Sequence, residues 1–267
     1  MSVITLLTDF GLQDEYVGVM KGVIAGICNE ARVIDITHGI APQNVLQAAW
    51  VLESAWRYFP AGSIHLIVVD PGVGSSRAIV GARAEGHCFI APDNGVLSPV
   101  FDAGRVDRLV RIENSNFFLD TVSSTFHGRD IFAPVAAHLA GGLPLVELGT
   151  EIAPSDAVRL TNWQSISSRP GEIQGRVVSV DRFGNLITNI SRKQLDALIG
   201  TAPGREVEIR VGNGRIVGLS PNYFSGKGLR ALAVIGSRGM LEVAVYCDHA
   251  GQVLSAGSGD LVRLKLV

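Results

Sequence analysis

The sequence predicts an α/β protein: an N-terminal domain with a mostly parallel sheet flanked by helices, then a smaller β-barrel-like C-terminal domain. Three observations carry this. Short apolar runs alternate with helix-period stretches at the start of the chain. The pattern then breaks between Ala153 and Pro170, in a stretch that includes Ser165-Ile166-Ser167-Ser168-Arg169-Pro170. Beyond it, short apolar runs recur at close intervals with one helix among them. The 267 residues suit one large or two modest domains. The expected division is 1–156 as the α/β domain, 157–170 as linker and 171–267 as the β-rich domain.

The first strand is Val3–Leu7, closed by Thr8-Asp9-Phe10-Gly11. From Glu15 to Cys28, Val17, Met20, Val23, Ile24 and Ile27 recur at helical spacing. Arg32–Ile36 is a second strand, ending at Thr37-His38-Gly39. Asn44 is placed to cap a helix running to about Phe59, and Ser63–Val69 is a third strand. Strands separated by helices imply right-handed crossovers and parallel pairing. Strands follow at 78–84, 88–91 and 108–112, and a helix at about 131–140. After the break, strands are predicted at 175–180, 186–190, 207–211, 215–219, 231–235, 241–246 and 261–266, with a helix at 193–199.

Composition bounds the function. Charged residues make up 18% of the chain and the net charge is −2, without blocks of either sign, so no footprint for nucleic acid is present. No apolar run approaches the ~20 residues of a membrane span. Met1-Ser2-Val3-Ile4-Thr5 enters a strand with no basic stretch ahead of it, so no secretory signal is expected. Cys28, Cys88 and Cys247 are odd in number and widely spaced, against a disulfide framework or a zinc cluster and in keeping with a cytoplasmic setting.

The most informative stretch is Ile67-Val68-Val69-Asp70-Pro71-Gly72-Val73-Gly74-Ser75-Ser76-Arg77. An apolar strand ends at a carboxylate, a glycine-rich turn follows, and a cation stands beyond it. Strand ends of α/β sheets are where ligands bind. Asp9, His38 and Asn94 occupy comparable positions, and His127 and Arg129 open a helix, where free N–H groups favour polar ligands. Each has a plainer reading: Asp9 as a turn residue, His38 as a satisfied buried histidine, Asp70 as a turn cap. In the second domain Asp181-Arg182-Phe183-Gly184-Asn185 and Ser237-Arg238-Gly239 are polar turns between apolar strands. Phosphate-loop, dinucleotide-fold, zinc-protease and serine-hydrolase signatures are absent from the sequence. A metal site from His38, Asp70 and His127 lacks a close-spaced ligand pair, so no metal is expected.

Taken together, Thr8-Asp9-Phe10-Gly11, Asp70-Pro71-Gly72-Val73-Gly74 with Arg77, Phe126-His127-Gly128-Arg129-Asp130, Asp181-Arg182-Phe183-Gly184-Asn185 and Ser237-Arg238-Gly239 occur in one order along the chain. This resembles the S-adenosylmethionine (SAM) hydroxide adenosyltransferases, adenosine-forming SAM hydrolases related to the fluorinase and chlorinase enzymes. The resemblance implies SAM as substrate, adenosine and L-methionine as products, no cofactor, and a homotrimer with each site shared between neighbouring subunits. It implies that Asp70, Arg77 and His127 handle the water and that Asp9 holds the ribose. Tyr223 would stack on adenine, Asn185 and the backbone near Ala250 would read its edge, and Phe183 would wall the pocket. Asp14, Asp181, Ser237 and Arg238 would grip the methionine end.

Two departures from the halogenases favour hydrolysis: Asp70 stands where they use a tyrosine, and Gly128 where they place a serine beside the halide. A carboxylate repels a halide and suits a water that loses a proton. The long loop of the fluorinase is missing, with only Arg83–His87 in its place, and Gln43 replaces a tryptophan. The alternatives are an adenosyl halide-forming enzyme and a non-catalytic SAM or adenosine sensor. Either Asp70 or His127 could accept the proton on this evidence.

Overall fold

A computed structural model describes residues 2–104, 106–161, 163–201 and 204–267, without the side chains of 167 and 168. The chain divides into two compact units, Met1–Leu160 and Thr161–Val267.

In the first unit β1 (Val3–Thr8), β2 (Arg32–Thr37), β3 (Ile64–Val68), β4 (Ile79–Ala84), β5 (His87–Pro92), β6 (Val106–Ile112) and β7 (Gly149–Glu151) form one sheet in the order β2-β1-β3-β5-β4-β6-β7. The β1–β2, β1–β3 and β3–β5 ladders are parallel. Those of β4 with β5, β4 with β6 and β6 with β7 are antiparallel. The sheet is therefore mixed, its parallel half built from the strands that helices separate. The short Glu85-Gly86 link turns β4 back onto β5 as a hairpin, which only antiparallel pairing allows.

Strand alternation assigns the core. Ile4, Leu6, Leu66, Val68 and Ile90 face one side, with α1 (Tyr16–Ile27) and α4 (Ala133–Ala140). Leu7, Ile67, Val69, Phe89 and Ala91 face the other, with α2 (Val45–Ala55) and α3 (Ser98–Asp102). Apolar residues on both faces are what a sheet covered by helices on both sides requires. Asn44 caps α2, its side chain accepting the Gln47 N–H at 2.9 Å.

In the second unit β8 (Ile166–Arg169), β9 (Glu172–Val180), β10 (Leu186–Ser191), β11 (Val207–Val211), β12 (Gly214–Val217), β13 (Leu232–Ile235), β14 (Met240–Ala244) and β15 (Leu261–Leu266) pair antiparallel. The order is β12-β11-β15-β9-β10-β14-β13, with β8 on β9. They enclose a barrel-like core including Val177, Leu186, Ile209, Leu241 and Leu264, with a smaller cluster of Leu232, Val234 and Ala244 on β13 and β14. Helix α5 (Arg192–Gly200) plugs the barrel-like core with Leu195 and Leu198 and starts at a capping box from Ser191 and Gln194.

The segment expected as linker, 157–170, carries structure. Ala157 is buried in the first unit and Ile166–Arg169 is strand β8. Serine and proline richness hid a strand whose hydrogen bonds come from its neighbour rather than from its own propensity. Asn162 lies outside the described residues.

Candidate active site

Strands β1 and β3 run parallel with Thr8 opposite Val68, so Asp9 and Asp70 emerge at the same sheet edge. There they line a hollow of about 300 Å³ together with Phe10, Tyr16, Phe126 and His127. The Asp70-Pro71-Gly72-Val73-Gly74 turn closes through Val73 N–H to the Asp70 carbonyl at 3.2 Å. Gly74 has φ +78°, and a Cβ there would fall 2.3 Å from the Ser124 carbonyl oxygen. Only glycine lets this turn lie against the loop that delivers His127.

That loop is held by Asp130, which is fully buried. Its Oδ2 accepts the Ser123 N–H at 2.8 Å and its Oδ1 the Arg129 Nε–H at 2.5 Å. Its carbonyl accepts the Leu119 N–H at 2.9 Å. Pro134, four residues on, has no N–H to offer that carbonyl, so the oxygen is free for Leu119. The helix accordingly opens with a π-turn over Gly128–Phe132, with His127 at its N-cap.

Arg77 joins the two walls. Its Nε–H donates to both Asp70 oxygens, at 2.9 and 2.7 Å, and its Nη2 pairs with Asp70 Oδ2. Nη2 also lies 2.9 Å from His127 Nδ1. A guanidinium can only donate, so Nδ1 is the acceptor and the neutral ring carries its proton on Nε2. Burial first, then the Arg77 charge, lowers the His127 pKa below its ordinary value, which favours that neutral form. Gly72 N–H reaches Asp70 Oδ1 at 3.2 Å. The Asp70 oxygens, each with about two acceptor directions, are thus fully engaged by Arg77 and Gly72.

Asp9 Oδ2 accepts the Gln43 N–H at 2.7 Å, leaving the other oxygen open to a ligand. Phe10, Tyr16 and Phe126 form an aromatic wall with ring centroids 5.0–5.8 Å apart. Asp14 is exposed in the loop before α1 and does not line the hollow. His38 is buried and does not line the hollow: its Nδ1 lies 2.8 Å from Thr8 Oγ1, while its Nε2 lies 3.1 Å from Asp35 without hydrogen-bond geometry, so the ring is only half satisfied. Asn94 serves its turn, donating to the Val69 carbonyl at 2.9 Å. Among the described residues no group of three or more His, Cys, Asp or Glu could hold a metal ion.

The second unit has its own hollow, about 670 Å³, lined by Asp181, Phe183, Asn185, Tyr223, Ser237 and Arg238 among others. Asp181 organises its turn: Oδ1 accepts the Phe183 and Asn185 N–H groups at 2.9 Å, and Oδ2 the Asn185 side-chain amide at 2.9 Å. Gly184 at φ +85° leaves room for His249, whose Cγ a Cβ would meet at 2.5 Å. Ala250 is buried at the start of the short helix α6 (Ala250–Val253) and does not line the hollow. Glu242 and Tyr246 also line the hollow. Sequence reading passed over both; the available signal was a glutamate on an otherwise apolar strand.

Family models for the SAM hydroxide adenosyltransferase N-terminal and C-terminal domains match residues 4–149 and 175–263. An (R)-S-adenosyl-L-methionine hydrolase of Thermus thermophilus is 35% identical, covering 99% of this chain and 100% of its own length. The chain belongs to the SAM hydroxide adenosyltransferase family. A fluorinase of Actinopolyspora mzabensis is 28% identical over 78% of this chain and 77% of its own. The crystal structure of an uncharacterized conserved protein from Thermotoga maritima superposes on this member of the family with a TM-score of 0.88 at 39% identity. It covers 98% of this chain and 99% of that one.

Proposed function

We propose that the protein hydrolyses S-adenosyl-L-methionine to adenosine and L-methionine. Water attacks ribose C5′, the C5′–O bond forms as the C5′–S bond breaks, and the bonding pair leaves with sulfur. The observation that carries this reading is the Asp70–Arg77–His127 set, hydrogen-bonded at the rim of the first hollow. Support also comes from the full-length similarity to a relative named as a SAM hydrolase.

The leaving group departs as a neutral thioether, so it needs no acid, and the chemistry asks for no metal or cofactor. What the site supplies is a positioned water. His127, with Nδ1 committed to Arg77, offers water a hydrogen bond from Nε2–H and has no lone pair with which to act as base. Attack turns the water into a protonated alcohol, acidic enough to pass its proton to a neighbouring water molecule without a strong base. Asp70 supplies negative charge beside that departing proton and fixes Arg77. Aligning the attack and excluding bulk water contribute several kcal/mol.

The halide reading is disfavoured by Gly128. A Cβ there would meet Phe126 at 3.0 Å and the Met20 sulfur at 3.2 Å, so the wall has no room for a halide-binding serine without movement. The sensor reading predicts tight binding without turnover. Mass spectrometry of purified protein incubated with SAM separates the three: adenosine plus methionine for the hydrolase, a chloride-dependent halogenated adenosine for the second, no product for the third.

We further propose that Asp9 holds the ribose hydroxyls, that Tyr223, Asn185 and Phe183 receive adenine, and that Asp181, Ser237 and Arg238 receive the methionine end. The working form is a cytoplasmic homotrimer, one subunit's first unit acting with a neighbour's second. Among the described residues, no helix is long and apolar enough to cross a membrane. Mixing an inactive Asp70 variant with an inactive Arg238 variant then restores part of the activity. No recovery despite demonstrated subunit exchange contradicts the shared site.

A further inference from the structure

Glu242 sits mid-strand on β14, opposite Ile187 and Val234, yet only 4% of its surface is exposed. A strand interior between apolar neighbours favours an aliphatic side chain, and a buried carboxylate weakens the fold unless its charge is matched. No cation meets it. Its side-chain partner among the described residues is a phenol: Tyr223 Oη donates to Glu242 Oε2 at 2.5 Å.

Two other features of the chain accommodate this pair. A Cβ on Gly236 would fall 1.8 Å from Glu242 Oε1, so residue 236 must be glycine for the carboxylate to lie where it does. Tyr223 opens a single 3₁₀ turn, Tyr223–Gly226, on an exposed connection. The residue is 43% exposed and borders the hollow, with its hydroxyl as the anchored end. Burial and the Glu242 bond raise the Tyr223 pKa, so the phenol stays a donor throughout the neutral range.

We propose that Glu242 is a positioning residue, holding the Tyr223 ring at a fixed attitude so that its face is preorganised for adenine. This rests on the assignment of Tyr223 as the adenine platform. A hydrogen bond to a buried carboxylate replaces the rotational freedom that an exposed aromatic ring on a short turn otherwise keeps, and preorganisation of this kind acts on binding rather than on bond breaking.

The test is a double-mutant cycle on SAM kinetics, with adenosine affinity measured by calorimetry. Glu242→Ala and Tyr223→Phe each raise KM and weaken adenosine binding about tenfold, the worth of one hydrogen bond, with kcat within about twofold. The double variant is no worse than either single one, and Glu242→Gln, whose amide oxygen can accept from Tyr223, restores near-normal values. An unchanged KM in Tyr223→Phe overturns the inference even if Glu242→Ala fails to fold. So does a fully additive, roughly hundredfold double effect, or a fall in kcat at normal KM. If the unmodified protein binds neither SAM nor adenosine, it is the assignment of function that fails instead.

Discussion

At Asp70 the carboxylate's acceptor directions are taken by Arg77 and Gly72, and at His127 the Nδ1 lone pair is taken by Arg77. In the proposed reaction these commitments leave Asp70 as an orienting charge and His127 as a hydrogen-bond donor. Asp70→Asn should lower turnover about 10²–10³-fold, the range for loss of a fixed electrostatic group, while SAM binding by calorimetry changes little. Because His127 acts neutral and its pKa is lowered, kcat should be flat at neutral pH and fall on acidification with a midpoint below the ordinary histidine range, as protonation of Nδ1 breaks the Arg77 bond. A rate that rises steadily with pH above 7 would indicate a titrating base instead.

A second histidine is read through stability. His65 is buried, with Nδ1 2.8 Å from Thr5 Oγ1 and Nε2 3.1 Å from His87 Nδ1, and burial lowers its pKa from 6.5 to about 3. The unfolded chain therefore binds a proton that the folded one refuses. Stability is complete above pH 6.5 and is lost as pH falls toward 3, by up to a few kcal/mol. Urea unfolding at pH 7 and 4 measures this, and His65→Gln should flatten the difference. Asp70, Arg77 and His127 were legible because each stands in a distinctive local motif. Glu242 was not, since its meaning depends on Tyr223, nineteen positions away in sequence.

Elements explain why those side chains meet. Parallel β1 and β3 deliver two aspartates to one edge, and this followed from the strand–helix alternation. The strands β7 and β8 did not follow, because three- and four-residue strands owe their existence to a partner's edge. The π-turn before α4 was equally invisible, arising where Pro134, with no N–H of its own, leaves the Asp130 carbonyl to the Leu119 N–H. Its first residue gives a test. Gly128→Ala puts a methyl 3.0–3.4 Å from Phe126, Met20 and Phe10, shifting the wall beside His127. Turnover should drop about tenfold or more, since misplacement of 1 Å can cost 10²-fold, with no gain of chloride-dependent product.

For the whole molecule, the break in sequence texture marked two units, although the boundary falls at Leu160/Thr161 and the expected linker contributes to both. Each unit carries a polar hollow: the first holds charged groups suited to water, the second aromatic and polar groups suited to a nucleoside and an amino acid. The central claim is that water, not halide, attacks C5′ of SAM. Reaction of the purified protein with SAM in ¹⁸O-water, in the presence of chloride, measures it directly. Water attack yields equimolar methionine and adenosine, with ¹⁸O at the 5′ position. Unlabelled adenosine, or a chlorinated nucleoside as the main product, would contradict it.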